Sequence, residues 1–225
     1  PCIDDHQLPP EDFEAKGTLA TSAARIVLKT LFLARMNRVD IIWSVNALAK
    51  EVTRWNVACD KRLHRLISWL KCTKDWVLTA FVGDRVQDCH LALYCDASFA
   101  SDLRDSKSIS GGYLCLVGPR TFVPITWICK KQGAITHSST EAEVIALDAT
   151  VRLEGIPALC LWAEIIEVFD PQVKDVKTDP QKRPLIQRHQ LTSEEILANV
   201  DYVPPTLPKG SGKGRLLILE DKDAV

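Results

Sequence analysis

The chain has eight cysteines in 225 residues but no Cys-x-x-Cys pair and no paired Cys/His spacing. Structural zinc sites commonly use such pairs, so their absence argues against a zinc site. Several cysteines stand inside apolar runs, among them Cys95, Cys115, Cys129 and Cys160. They are expected to be buried, reduced thiols. No apolar run reaches the roughly 18 to 20 residues of a membrane helix, so no membrane partner is expected. Pro1 to Asp5 lack the basic stretch that opens a signal peptide. An intracellular place, cytoplasm or nucleus, is therefore expected. There is no initiator Met, which is the mark of a fragment or a processed product. Nor is there a charge excess: the formal net charge is −1. Whole-chain electrostatics thus give no nucleic-acid signal, and only local basic patches could. The hydrophobic fraction of 46% and charged fraction of 25% are ordinary for a globular chain with a core. The length allows one large domain or two small ones.

What the chain does have is three carboxylate motifs at the ends or edges of apolar runs. Leu91 to Cys95 leads into Asp96, Ala97 and Ser98. Ser138, Ser139 and Thr140 lead into Glu141, Ala142 and Glu143. Leu216 to Leu219 leads into Glu220, Asp221 and, two residues on, Asp223. Strand ends and a helix start can bring such groups to one point. Hard cations such as Mg²⁺ prefer oxygen ligands. Paired Mg²⁺ ions clamp the attacking and leaving oxygens of a phosphodiester, so a nuclease centre is the chemistry suggested.

Periodicity places these motifs. Residues 1–22 are rich in Pro and acids and read as an extended lead-in. Ala23 to Ala34 has a helical apolar pattern. Asp40 reads as a cap or first-turn acid for a second helix through Val52. A third helix runs from about Val57 to Leu70, with Leu63, Leu66, Ile67 and Leu70 on one face. Lys61, Arg62, His64 and Arg65 lie opposite, as a solvated basic face or a phosphate-contacting one. The period then changes to that of strands: Cys89–Cys95, Gly111–Gly118 and Thr121–Trp127. Pro124 favours an edge position for the third, and Gly118 to Arg120 supply a hairpin turn. A helix follows Ser138 with capping-box-like spacing. Pro157 is expected to break or kink it. Residues 170–214 read as a disordered insertion, and Leu216–Leu219 as a last strand.

The order of strand with Asp, hairpin, helix with Glu, strand with Asp is that of the ribonuclease H fold. The run from Asp96 to Gly112 resembles the segment after the first strand in copia-type retrotransposon ribonuclease H domains. Trp127 to Gln132, followed by Ser138 to Glu143, resembles their tryptophan, lysine pair and serine-threonine-glutamate run. Upstream, Arg38 to Ala49 and Cys59 to Leu70 resemble the helical end of the reverse transcriptase that joins this domain. The resemblance covers about residues 23–169 and 215–225, and several details look like copia-type elements of dinoflagellates.

That resemblance implies an α/β, ribonuclease H-like mixed sheet, incomplete, preceded by a small helical region. Residues 23–80 would be a remnant of the reverse transcriptase thumb or connection, and 88–225 the ribonuclease H-like domain, with 170–214 as its insertion. The implied function is two-metal cleavage of the RNA strand of RNA–DNA hybrids during retroelement reverse transcription. The implied cofactor is a pair of Mg²⁺ ions, with Mn²⁺ able to substitute. The implied partners are the hybrid and the rest of the Pol polyprotein. Asp96, Glu143 and Asp221 would be the catalytic, metal-binding set. Glu143 is preferred to Glu141, because an apolar-x-Ala pattern follows it and the two lie about 200° apart around a helix. Glu220 and Asp223 would be bystanders, and His137 a structural loop residue. Ser98, Lys107, Ser108, Lys130 and Lys131 would contact the nucleic-acid backbone. In the family a later helix supplies a further carboxylate. This sequence stops short of it, so weak or no cleavage by residues 1–225 is expected. The alternatives are a non-catalytic nucleic-acid-binding remnant or a protein-interaction module.

Overall fold

The computed structural model describes residues 2–102, 105–169 and 212–220. Three helices come first: α2 (Ala23–Met36), α3 (Ile42–Ala49) and α4 (Val57–Cys72), preceded by a single turn, α1 (Glu11–Glu14). Their apolar positions recur at helical spacing and meet in one core. Val27, Ala34, Ile41, Val45, Leu48, Trp55, Cys59, Leu63 and Leu66 are its buried members. Ile67, expected on that inner face, is largely exposed, because the stripe turns away from it toward Leu66 and Leu70.

The lead-in differs from the extended segment expected. It holds a 3₁₀ turn at Asp5–Gln7 as well as α1, and it lies on α4. Asp60 fastens the join. Burial pushes its carboxyl up, but hydrogen bonds from Trp55, Thr18 and Leu19 outweigh this and hold it below the usual range.

The sheet comprises β1 (His90–Ser98), β2 (Ile109–Gly118), β3 (Thr121–Lys131) and β4 (Leu216–Leu219) in the order β3-β2-β1-β4. The first three form an antiparallel meander, whereas β4 joins β1 in parallel, from Leu91↔Leu216 to Tyr94↔Leu219. Pro124 lies on the outer strand, as its missing N–H requires. Beside it the ladder slips, Leu114 facing Thr126 and Cys115 facing Pro124, so Ile125 is an extra residue in a bulge.

Two helices cover one face of the sheet: α5 (Ser139–Thr150) and α6 (Ile156–Phe169). Leu91, Leu93, Cys95 and Leu114 pack there with Trp162 and Ile166. Pro157 does not separate the helices. The chain passes from α5 through a π turn, Val151–Gly155, and Pro157 sits in the first turn of α6. A proline is tolerated there, because its missing N–H would serve no earlier carbonyl of that helix, and the widened turn accommodates its ring. Gly155 lies within that turn against the sheet. A methyl there would lie 3.0 Å from Leu93 and 3.2 Å from Leu216.

The helical core meets the sheet on its other face. The Trp127 indole donates to the Ala34 carbonyl at 2.8 Å, and the Asn46 amide donates to the Cys129 carbonyl at 2.7 Å. All eight cysteines are free thiols. Cys95 and Cys115 are buried as expected, but Cys129 is only half-buried and Cys160 is exposed, since α6 turns that position outward. No helix among the described residues is long and apolar enough to cross a membrane. The expected insertion falls, through residue 211, outside the described residues.

Candidate active site

Strand β1 alternates from Leu93 to Ser98. Leu91, Leu93, Cys95 and Ala97 are buried, and Cys95 and Ala97 face α5. Asp96 therefore leaves the strand from the other side, exposed, in line with Tyr94 and Ser98. Its neighbour across the ladder is Gly111, whose open side leaves the carboxylate uncovered.

Helix α5 separates its two glutamates by role. The Ser138 hydroxyl accepts from the Glu141 N–H at 3.1 Å, and the Glu141 carboxylate accepts from the His137 N–H at 2.7 Å. Glu141 thus closes the helix start and faces solvent, and His137 takes part through its backbone. Glu143, half a turn on, is only 3% exposed. Ala142 and Ala146 beside it pack against Ala97 of β1, which draws this turn onto the strand that bears Asp96.

Gln132 secures the same turn from β3. It is 5% exposed, and its amide donates to the Ala142 carbonyl at 2.9 Å and to the Ser110 hydroxyl at 3.0 Å. Thr150 does the equivalent at the far end of α5, where its hydroxyl lies 2.8 Å from the Cys95 sulfur. Burial pushes the Cys95 thiol up, the Thr150 hydroxyl partly counters it, and the Glu220 charge raises it further. Glu220 therefore lies near Cys95. Asp221, the third expected ligand, is outside the described residues. Among the described residues no three His, Cys, Asp or Glu side chains form a group able to hold a metal.

The loop after β1 is a tied structure. Ala100 and Ser106 adopt positive φ, 47° and 52°, which side-chain-bearing residues take only when neighbours enforce it. The Ala100 N–H donates to the Ser108 hydroxyl and the Ser106 N–H to the Asp102 carbonyl, and Lys131 reaches Asp102 at 2.6 Å and Asp105 at 2.7 Å. The Asp102 and Asp105 carboxylates hold the Lys131 ammonium above its ordinary pKa, and Lys131 in turn lowers that of Asp105.

The expected backbone contacts therefore divide. Ser98 and Lys130 are exposed. Lys107 is half-buried and donates to the Gly133 carbonyl at 2.6 Å. Ser108 is fully buried, its hydroxyl bonded to the Ala100 N–H and to Thr136, so it has no surface to offer a phosphate. Lys131 is occupied by the loop acids. Gln132 and Thr150 brace α5 without being among the expected site residues. Their signal is weak, because a buried amide or hydroxyl shows no sequence period of its own.

The sheet order, with a meander and a parallel fourth strand, defines a mixed α/β architecture compatible with a ribonuclease H-like fold. The chain is similar to two retrovirus-related Pol polyproteins of Arabidopsis thaliana. That from transposon RE2 is 31% identical over 124 residues, and that from transposon RE1 is 32% identical over 128. The matches cover 53% and 57% of this chain and 8% of each relative. No family model and no solved structure matches. The similarity is to a retrotransposon Pol polyprotein.

Proposed function

We propose that this chain is a segment of a retroelement Pol polyprotein, and that its sheet carries a ribonuclease H-type centre cutting the RNA strand of RNA–DNA hybrids. The observation that carries this reading is the parallel pairing of β4 with β1. It sets side by side two strands that lie far apart in sequence. Asp96 follows Tyr94 by two residues, and Asp221 follows its partner Leu219 by two.

The donors proposed are carboxylates, the ligand type that a hard divalent cation takes. Asp96 is an exposed carboxylate two residues before the end of β1, on the face turned away from α5, and Glu143 is a buried carboxylate on α5. Asp96, Glu143 and Asp221 would hold the metal. Bound Mg²⁺ would supply activation of a water and charge neutralisation at the leaving 3′ oxygen. The chain's own residues do the positioning. Ser138 and Glu141 fix the start of α5. Gln132 and the three alanines hold its first turns on β1. Lys131 keeps the loop after Asp96 folded, and exposed Ser98 and Lys130 are available to the substrate backbone.

Metal binding tests this directly. Mn²⁺ titration, followed by water-proton relaxation, should show binding that weakens in Asp96→Asn and in Glu143→Gln. Loss of a ligand should cost at least the roughly ten- to hundredfold seen for outer-shell partners. Any Mg²⁺-dependent cleavage of a labelled hybrid should disappear in both variants. Undiminished Mn²⁺ binding by the two variants, with the fold intact, overturns the assignment.

A further inference from the structure

Helix α4 carries a segregated charge. Its outward face bears Lys61, His64, Arg65 and Lys71, all exposed. Its one acid, Asp60, is turned away to Thr18, Leu19 and Trp55. From Lys61 to Lys71 the face is about 15 Å long, over which one duplex strand presents roughly four phosphates. The lead-in has the opposite composition. Asp4, Asp5, Glu11, Asp12 and Glu14 occur within residues 1–14, with no Lys or Arg among them.

The lead-in is held in two ways. From residue 13 onward it is fixed by backbone. Val57 N–H donates to the Ala15 carbonyl at 3.0 Å, Gly17 N–H to the Trp55 carbonyl at 3.2 Å, and the Asn56 amide to the Phe13 carbonyl at 3.2 Å. Before residue 13 the hold is mostly charge. Arg62 pairs with Asp5 and donates to the Ile3 carbonyl, Lys61 pairs with Asp12, and Leu8 adds one buried side chain. Arg62 keeps only 14% of its side chain exposed under this cover.

We propose that residues 2–12 form an acidic strap, which competes with nucleic-acid phosphates for the basic face of α4. With the strap in place, His64, Arg65 and Lys71 offer a partial polyanion site. When a nucleic-acid backbone displaces it, Lys61 and Arg62 complete the surface. Each pair keeps one partner open to solvent, Lys61 at 46% and Asp5 at 59%, although Asp12 and Arg62 are largely covered, so salt screens the pairs in part and a polyanion with several phosphates can compete for the two cations. The inference rests on the nucleic-acid partner of the reading above, not on its metal site.

Fluorescence anisotropy with a labelled RNA–DNA hybrid, in EDTA so that nothing is cut, tests it on the full chain. Asp5→Asn with Asp12→Asn should bind about three- to tenfold tighter at low salt. Its plot of log K against log salt should steepen by roughly one to two, for the two cations freed. Arg65→Ala with Lys71→Ala should weaken binding. Hydrogen exchange on the unaltered chain gives a second readout: the Gln7 and Leu8 amides should exchange faster once hybrid is added. Equal affinity and slope for the strap variant, unchanged or slower exchange, or no binding of the hybrid each overturns the proposal. Both readouts are taken in EDTA, where no divalent ion is bound, and the metal centre is read separately by Mn²⁺ titration, so a failed metal centre and a failed strap are distinguishable.

Discussion

The adjacent glycines of β2 should behave in opposite ways. A methyl added at Gly112 would lie 2.4 Å from Thr150 Cγ2 and 3.1 Å from Ile128 Cγ1. Carbon contacts settle near 3.5 Å, so α5 would have to retreat from the sheet by roughly 1 Å. Overpacking of this kind costs about 1–3 kcal/mol. At Gly111 the same methyl meets only the Asp96 carbonyl oxygen, at an ordinary 3.6 Å. There alanine should be neutral, or stabilising by up to about 1 kcal/mol through lost chain freedom. Thr150→Ser removes the clashing methyl and keeps the hydroxyl bonded to the Ala146 carbonyl and Cys95. It should therefore rescue Gly112→Ala, with a coupling of roughly 0.5–3 kcal/mol in a double-mutant cycle. Urea unfolding followed by tryptophan fluorescence measures all five chains. Equal stability of the Gly111 and Gly112 variants, or additive effects of Gly112→Ala and Thr150→Ser, would refute the packing argument.

Three further outcomes are expected. Trp127→Phe should destabilise by about 1–3 kcal/mol, since a smaller aromatic ring remains and the Ala34 carbonyl loses its buried donor; thermal unfolding would show this. Acid should weaken the helical core through Asp40. The Arg38 guanidinium holds its carboxyl below the ordinary value, so the stabilisation is complete above about pH 4 and fades as pH falls through the lowered value. Arg38→Met should flatten that acid limb of a stability–pH curve. With Ellman's reagent, Cys72 and Cys160 should react first, and Cys115, fully buried and pushed up to about 11, among the last; peptide mapping would identify them.

Much of this architecture could be read in advance because single residues dominate their surroundings. Pro124 can only sit on an outer strand, and Ser138 with Glu141 marks a helix start through two hydrogen bonds that the structure contains. In β1, Ala92 is buried as well as Leu91 and Leu93, so burial alternates only from Leu93 to Ser98. Other features depend on distant partners. Nothing near Arg62 in the sequence points to Asp5, so the lead-in reads as extended although charge and Phe13 fold it onto α4. Ser108 resembles any exposed loop serine until Thr136 and Ala100 close over it. Pro157 has the local signature of a break, yet a widened turn just before it lets the helices continue. Of the candidate carboxylates, Asp96 stands out because it follows an apolar run, and Glu143 because an apolar-x-Ala pattern follows it.

The parallel pairing of β1 with β4 also sets an order of events during synthesis. Leu91 and Leu216 are partners about 125 residues apart. At a ribosome's pace of about 5–20 residues per second, β1 waits roughly 6 to 25 seconds for that neighbour. The meander can close almost at once, since β1, β2 and β3 follow each other through short connections. During the wait, the outer edge of β1 from Leu91 to Tyr94 is a bare row of peptide groups, open to any passing strand. The newborn chain is most vulnerable to misassociation in that interval, at the strand that carries Asp96. Whatever shields that edge during translation would govern how many copies reach the folded state.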